Sequence, residues 1–448
     1  MKAAARGHYR RAVAAAASLT GKRFSLLVAS SLVATTGIVA ASLTAAPGNS
    51  PVAELLGRDL AASAAPSAPA PEPSPSPSPA SPAPAPAPSP PLASPAPLES
   101  APAPPPAAPE KIPTEPAEPA VEPGPVQHVF LVSLASPGFD AAFGATARMP
   151  YLASTLRPQG LLLDDYSLLD EAALPNGIAT ISGQPPNAQT RVDCPTYTDF
   201  PAGSKSSSRG VVAGDGCVYP VETLTLADQL VGAQLRWHAY MEGMADESAQ
   251  PDNCVHPEPD TAEAPAPGGY SVRLNPFPFF HSLLDLGDCS ENDVPLSELE
   301  ADLKRIESTP NFSYISPNLC NVGIGGQCPA GAADGAAAAD AFLSAWVPKI
   351  LASPAYKRDG LLIVSFGQVD PGALADPAVA ATVGTPPRVG ALLLSRFVSP
   401  GGSDGAAYDP YSLLRTLEDL FRLEPLGGAA GPRVRSLAPT LEGTSTGD

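Results

Sequence analysis

The stretch His128-Val-Phe-Leu-Val-Ser-Leu-Ala-Ser-Pro-Gly-Phe-Asp140 decides the fold. Its run 129–134 is short, apolar and rich in β-branched residues, and a Pro-Gly follows, so it reads as a buried strand of a parallel sheet. In open α/β sheets, ligands sit just beyond the carboxyl ends of such strands. Here that spot holds Ala135, Ser136 and Pro137, none of them a strong metal ligand or a general base. Downstream, apolar runs at 161–166, 237–241, 312–316, 361–366 and 391–395 read as further strands. Helical patterns cover 149–157, 174–182, 224–232, 280–286, 296–306, 332–351 and 411–421. This alternation predicts one α/β domain over 127–441, with a largely parallel sheet covered by helices on both faces and a disordered tail at 442–448.

Upstream of the domain the chain is of another kind. The 448 residues carry a formal net charge of −19, which excludes nucleic acid as a partner, because that binding rests on Lys and Arg at phosphates. Lys2, Arg6, Arg10, Arg11, Lys22 and Arg23 precede an uncharged stretch, 24–46, and no acidic residue comes before Glu54. About 20 mainly apolar residues span a bilayer, and the basic flank at 1–23 stays in the cytoplasm. A cleaved signal peptide has an apolar core of only about 7–15 residues, so the length favours a retained anchor. Residues 47–126 are a tether of Pro, Ala, Ser and Glu, with too few aromatic and β-branched residues to bury a core. Roughly 60 such residues at about 3.1 Å each reach at most about 190 Å. The expectation is a single-pass membrane protein with its domain outside the cytoplasm, or a secreted one if the apolar segment is removed.

All six cysteines lie in the domain, and an even count in an exported domain points to disulfides. Sequence order offers Cys194–Cys217, Cys254–Cys289 and Cys320–Cys328, although six cysteines allow many other pairings. No Cys-x-x-Cys occurs, and neither His256 nor His281 stands at a zinc-site spacing from a cysteine.

Eight segments carry a further resemblance. They are 128–134 with 139–144, Leu-Pro-Asn176 with Ile-Ser-Gly183, Leu-Ala-Asp-Gln-Leu230 and Trp-His-Ala-Tyr-Met-Glu242. Next come Asn-Pro-Phe277, Pro-Asn-Phe-Ser-Tyr-Ile-Ser-Pro-Asn-Leu-Cys320, Trp-Val-Pro-Lys-Ile-Leu-Ala-Ser-Pro-Ala-Tyr356 and Tyr-Ser-Leu-Leu-Arg-Thr-Leu-Glu-Asp-Leu-Phe421. In this order they resemble the bacterial phosphoesterase family of phospholipase C and acid phosphatase type, within the alkaline-phosphatase-like superfamily. The resemblance implies a three-layer sandwich, a divalent metal site and a hydroxyl nucleophile, because metals polarise phosphoryl oxygens and activate the attacking group.

Residue by residue, the implied chemistry is missing. Where the family reads Met-Glu-Asn after the first strand, this chain has Leu134, Ala135 and Ser136. Where it reads His-Pro-Ser-Leu-Pro-Asn-Tyr, this chain has Glu171-Ala-Ala-Leu-Pro-Asn-Gly177, with Ala173 at the nucleophile. The Asp and His expected after Asn321 give way to Val322, Gly323 and Ile324. Gly367 and Gln368 stand at an Asp-Glu, Arg388 at a His, and Pro410 at the His of Tyr-Asp-His-Tyr-Ser. Alanine and glycine have no side-chain lone pair to give a cation. No resident cofactor is therefore expected, although the family would use a divalent metal.

Asp170, Glu171 and Asp370, with Asp140, are the acidic residues placed to rebuild a site, although adjacent acidic pairs in loops are usually solvated. Ser136 and Ser412 would need a neighbouring base to act as nucleophiles, and no Gly-x-Ser-x-Gly supports one. Of the histidines, His128 sits at the wrong end of its strand, and His238 reads as a satisfied core residue. Asn176 and Arg388 are candidate anion binders; their bland readings are a turn or cap beside Pro175 and a solvated loop residue. The leading expectation is a degenerate member, a pseudoenzyme that binds a ligand or protein partner at the envelope. The alternative is a hydrolase acting on phosphate esters through the substitute carboxylates.

Overall fold

The computed structural model describes residues 125–246, 253–373 and 387–443. The expected anchor at 24–46 and nearly all of the expected tether lie outside these residues. Among the described residues no helix is long and apolar enough to cross a membrane. Ordered packing begins by Val126, which is fully buried, one residue before the expected domain start. It extends past the expected end: the Glu442 N–H donates to the Ala438 carbonyl at 2.8 Å, and its carboxylate accepts from Arg422 at 3.3 Å.

The domain is built on an eight-stranded sheet. In chain order its strands are β1 His128–Ser136, β2 Leu161–Tyr166, β3 Trp237–Met241, β4 Asp293–Pro295, β5 Phe312–Ser316, β6 Gly360–Val369, β7 Ala391–Ser395 and β8 Gly402–Tyr408. Their spatial order is β4-β3-β5-β1-β6-β7-β2-β8. Every neighbouring pair is parallel except those of β7, which runs against both β6 and β2. The reversed strand sits inside the sheet, so the sheet is largely parallel and mixed. Residues on both faces of β5, β6 and β7 are buried, so both faces are covered, as the apolar runs require.

The helices that position the site are α1 Phe139–Phe143, α2 Ala173–Ser182, α3 Leu226–Gly232, α4 Ala336–Ala352, α5 Pro354–Asp359 and α6 Pro410–Leu420. All ten residues of α2 are buried, and Gly183 at φ 71° ends it in the left-handed conformation that glycine adopts without strain. A Thr225/Asp228 capping box starts α3, and Asp409 caps α6. Two expected helices are altered. Segment 149–157 forms a six-residue π-helix, Tyr151–Leu156, whose first amides are bonded by the buried Asp340 carboxylate at 2.9 Å each. Segment 296–306 breaks after Asp302, because the Ser308 and Thr309 hydroxyls both take the Asp302 carbonyl at 2.9 Å. The three disulfides are Cys194–Cys217, Cys254–Cys289 and Cys320–Cys328.

Candidate functional site

The carboxyl ends of β1 and β6 lie side by side at the centre of the sheet, and α2 and the loop after β5 close over them. Ala135 and Ser136 are the last residues of β1 rather than the loop beyond it. Gly367 and Gln368 belong to β6. The register skips there: Leu134 pairs with Phe366 but Ala135 with Gln368, leaving Gly367 as the extra residue of a bulge. A Cβ on Gly367 would lie 2.6 Å from the Ser133 Oγ, so that hydroxyl would have to turn away.

Backbone hydrogen bonds seal this end of the sheet. The Ala135 N–H donates to the Val322 carbonyl at 2.7 Å, that of Val369 to Glu171 at 3.0 Å, and that of Asp370 to Ser136 at 2.8 Å. Between them lies a compact apolar cluster, separate from the main core: Ala135, Ala173, Leu274, Leu319, Val322 and Ile324, all buried. Ala135 and Ala173 stand where the resemblance places a metal-binding Glu and the nucleophile. Val322 and Ile324 stand in the stretch where it places an Asp and a His. These side chains meet, as functional residues would, but they offer no oxygen or nitrogen to a cation. A small cavity against the cluster, lined by its Ala173, Leu274 and Val322 together with Ser133, Arg273, Tyr314 and Gln368, holds about 10 Å³, at the lower limit for one water molecule. The residues present do not fit a dinuclear metal centre.

The N-terminus of α2 is also taken. Asp193, in the left-handed region at φ 54°, accepts the Leu174 N–H at 2.9 Å and pairs with Arg273 at 3.4 Å. A helix N-terminus attracts anions, and here a carboxylate of the chain itself fills that role. Burial pushes the Asp193 carboxyl up, against the lowering pull of these bonds. The adjacent Cys194–Cys217 disulfide holds the segment that carries it.

The substitute carboxylates do not converge. Asp170 forms a close ion pair with Arg191 and accepts the Ala172 N–H at 3.2 Å. Asp370 is buried and accepts from the Gly372 and Gly325 amides at 3.1 and 3.4 Å, bracing its own loop. Glu171 contributes its backbone carbonyl to Val369, while its side chain is only half-buried. Among the described residues one group of three metal-type donors comes together, Cys254, Cys289 and Asp293, and its two cysteines are joined in a disulfide.

Asn176 is not the anion binder expected of it. It is buried, its Oδ1 accepts from Leu169 at 2.9 Å and Asp170 at 3.3 Å, and its Nδ2 donates to the Asp170, Ala172 and Gly367 carbonyls at 2.8, 2.7 and 3.0 Å. It is a brace that ties the start of α2 to the β6 bulge. Arg388 is exposed, stacked 3.6 Å above the Phe139 ring, with its Nε donating to the Asp164 carbonyl at 2.5 Å. Pro410 is buried at the first position of α6, where a missing N–H costs nothing.

No serine–histidine pair forms among the described residues. The Ser136 hydroxyl accepts from Gly138 at 3.1 Å, and that of Ser412 bonds Asp409 at 3.0 Å. His128 is buried against Asp359 at 2.5 Å, His238 bonds Tyr240 and Asp302, and His256 bonds the Pro257 carbonyl. His281 lies between Asp199 and Asp285, at 3.1 Å from each. Sequence reasoning missed Leu274, Leu319, Asp193 and Arg273. Apolar residues beside Asn275-Pro276 and Pro317-Asn318 carry no signal that separates them from ordinary core, and an Asp-Cys pair does not reveal a remote helix cap.

Comparison with known proteins gives one family. The family model described as the phosphoesterase family matches residues 145–424, more than half of the chain. No curated protein matches. Among solved structures, a protein of the alkaline phosphatase superfamily from Vibrio parahaemolyticus is 15% identical, with a TM-score of 0.41, covering 69% of this chain and 72% of its own. A 2-O GAG sulfatase is 14% identical at TM-score 0.41, covering 72% and 75%. A phosphonate monoester hydrolase from Silicibacter pomeroyi is 12% identical at TM-score 0.40, covering 71% and 77%. At these identities and scores the likeness transfers no activity to this chain. The extent of the family match, from just after α1 to beyond α6, decides the assignment: the chain belongs to the phosphoesterase family.

Proposed function

We propose that this chain is a non-hydrolytic phosphoesterase: a domain exported by the segment at 24–46, held off the membrane by the Pro-rich tether, and used to bind a ligand or protein partner at the envelope. The carrying observation is the apolar cluster of Ala135, Ala173, Val322 and Ile324 with Leu274 and Leu319. A site that had merely lost its ligands would leave a polar hole. Here the apolar side chains leave room for one water at most, the loops over them are bonded shut, and Asp193 stands at the N-terminus of α2. Divalent metal and hydroxyl nucleophile have no place in this arrangement, so no catalytic step is derived through them. The test is hydrolysis of 4-nitrophenyl phosphate and bis(4-nitrophenyl) phosphate by the purified chain with zinc, manganese, magnesium or calcium. The expected rate equals that of a buffer blank. A rate that co-purifies with the chain and disappears in a variant lacking Asp170, Glu171 and Asp370 would replace this reading with that of a rebuilt hydrolase.

A further inference from the structure

Apart from the filled centre, the domain carries a roomy cleft beside α1. It holds about 590 Å³, within the range of small-molecule sites, and lies between α1, the π-helix and β2. Phe139, Phe143, Pro150 and Ala153 give it an apolar wall, and Arg157 and Asp164 give it polar ends. π-Helical turns are frequent at functional sites, and this one contributes Ala153 and Ser154 to the lining.

Arg388 stands at the rim, since it touches two of the lining residues. Its guanidinium carbon lies over the Phe139 ring, 3.6 Å from the centroid, and its Nε donates to the Asp164 carbonyl. Stacking and one fixed N–H orient a guanidinium without using its other donors. Neither terminal nitrogen of Arg388 has a hydrogen-bond partner among the described residues, and neither Arg388 nor Arg157 pairs there with a carboxylate. Gly390, at φ 73°, has its missing Cβ about 2.9 Å from both the Phe139 and Phe143 rings, so glycine at this turn lets the aromatic wall and Arg388 come together. In a chain with a formal net charge of −19, Arg388 and Arg157 beside an aromatic wall form a local exception.

We infer that this cleft binds a small organic anion, a phosphate monoester or carboxylate with one ring-sized apolar group. The anionic oxygens would meet Arg388 and Arg157, and the ring would lie against Phe139, Phe143 and Pro150. This rests on the non-hydrolytic ligand-binding reading and gives it a place and a chemistry.

The test is calorimetric titration of the purified full chain with phenyl phosphate, benzoate and inorganic phosphate. Phenyl phosphate should bind one to one, at least tenfold tighter than inorganic phosphate. Benzoate binding with similar strength would assign the site to carboxylates as well, and its failure would restrict the site to phosphate esters. Arg388→Ala and Arg157→Ala should each weaken phenyl phosphate at least tenfold, Arg388→Lys should weaken it less than Arg388→Ala, and Arg396→Ala should change nothing. Because Arg388 is exposed, its variants should keep the wild-type thermal midpoint. No binding of phenyl phosphate at millimolar concentration, or binding that ignores both arginines, would overturn the cleft. Turnover of phenyl phosphate to phenol would instead overturn the non-hydrolytic reading and leave the cleft standing.

Discussion

Restoring a glutamate at Ala135 should damage the domain rather than revive it. Ala135 is fully buried, with the Gly323 backbone close by and Val322 bonded to it. One extra methylene and a carboxyl have nowhere to go, and overpacking of this kind costs about 1–3 kcal/mol. No cation in the cluster compensates the charge, so the carboxyl stays neutral, with a folded pKa raised to about 8 from an ordinary value of about 4. At about 1.4 kcal/mol per unit, that adds about 5 kcal/mol at pH 8, out of a total stability of about 5–15 kcal/mol. The sign follows from proton binding. Above about pH 4 the unfolded chain releases this proton and the folded chain keeps it, so the variant loses stability as pH rises towards its folded pKa. Urea unfolding of wild type, Ala135→Glu and Ala135→Gln at pH 5 and pH 8 separates the contributions. Ala135→Gln should lose a similar amount at both pH values, whereas Ala135→Glu should lose several kcal/mol more at pH 8. Parallel losses for the two variants would refute a closed apolar cluster.

Asn176→Ala should cost about 3 kcal/mol, because it strips partners from buried amides and carbonyls on both sides of the site; chemical denaturation reads this directly. His281 has its pKa raised: burial pulls it down, but the hydrogen bonds and charges of Asp285 and Asp199 outweigh that. Its clasp therefore contributes fully below about pH 6.5 and is lost as pH rises through the folded value, so His281→Gln should cost about 1 kcal/mol at pH 5.5 and little at pH 9. Burial pushes Asp293 up to about 8 and Glu418 up to about 9, each against hydrogen bonding that lowers it. Both groups should make the domain less stable as pH rises from about 4 towards these values, and Asp293→Asn with Glu418→Gln should flatten the thermal midpoint against pH. Replacing Cys320 and Cys328 with serine should cost about 2–3 kcal/mol, since that disulfide closes the loop carrying Val322 and Ile324; a guanidinium titration of oxidised and variant protein measures it.

Much of the fold was legible because buried strands are loud. The runs at 129–134, 312–316 and 361–366 have both faces covered, so nearly every residue is apolar. Direction is not written in such runs: Ala391-Leu-Leu-Leu-Ser395 reads the same whichever way it lies, and β7 is the reversed strand. The edge strand β8, Gly402–Tyr408, was hidden because it alternates exposed and half-buried positions with glycine, serine and alanine rather than β-branched residues. At the site, the resemblance supplied the replaced positions. It did not say that they fill one another's space, because Leu274 and Leu319 join from segments remote in sequence. Asn176 was legible in part: its bonds to Leu169, Asp170 and Ala172 fit the local turn or cap beside Pro175, whereas its bond to the Gly367 carbonyl, 191 residues away, carries no sequence signal.

The most direct test of the central claim is the metal content of the purified, oxidised full chain after dialysis against zinc, manganese, magnesium and calcium in turn, read by mass spectrometry of the metals. A family site packed with Ala135, Ala173, Val322 and Ile324 predicts no metal above the buffer blank. One or two equivalents held through exhaustive dialysis would contradict the account and return the chain to the hydrolases.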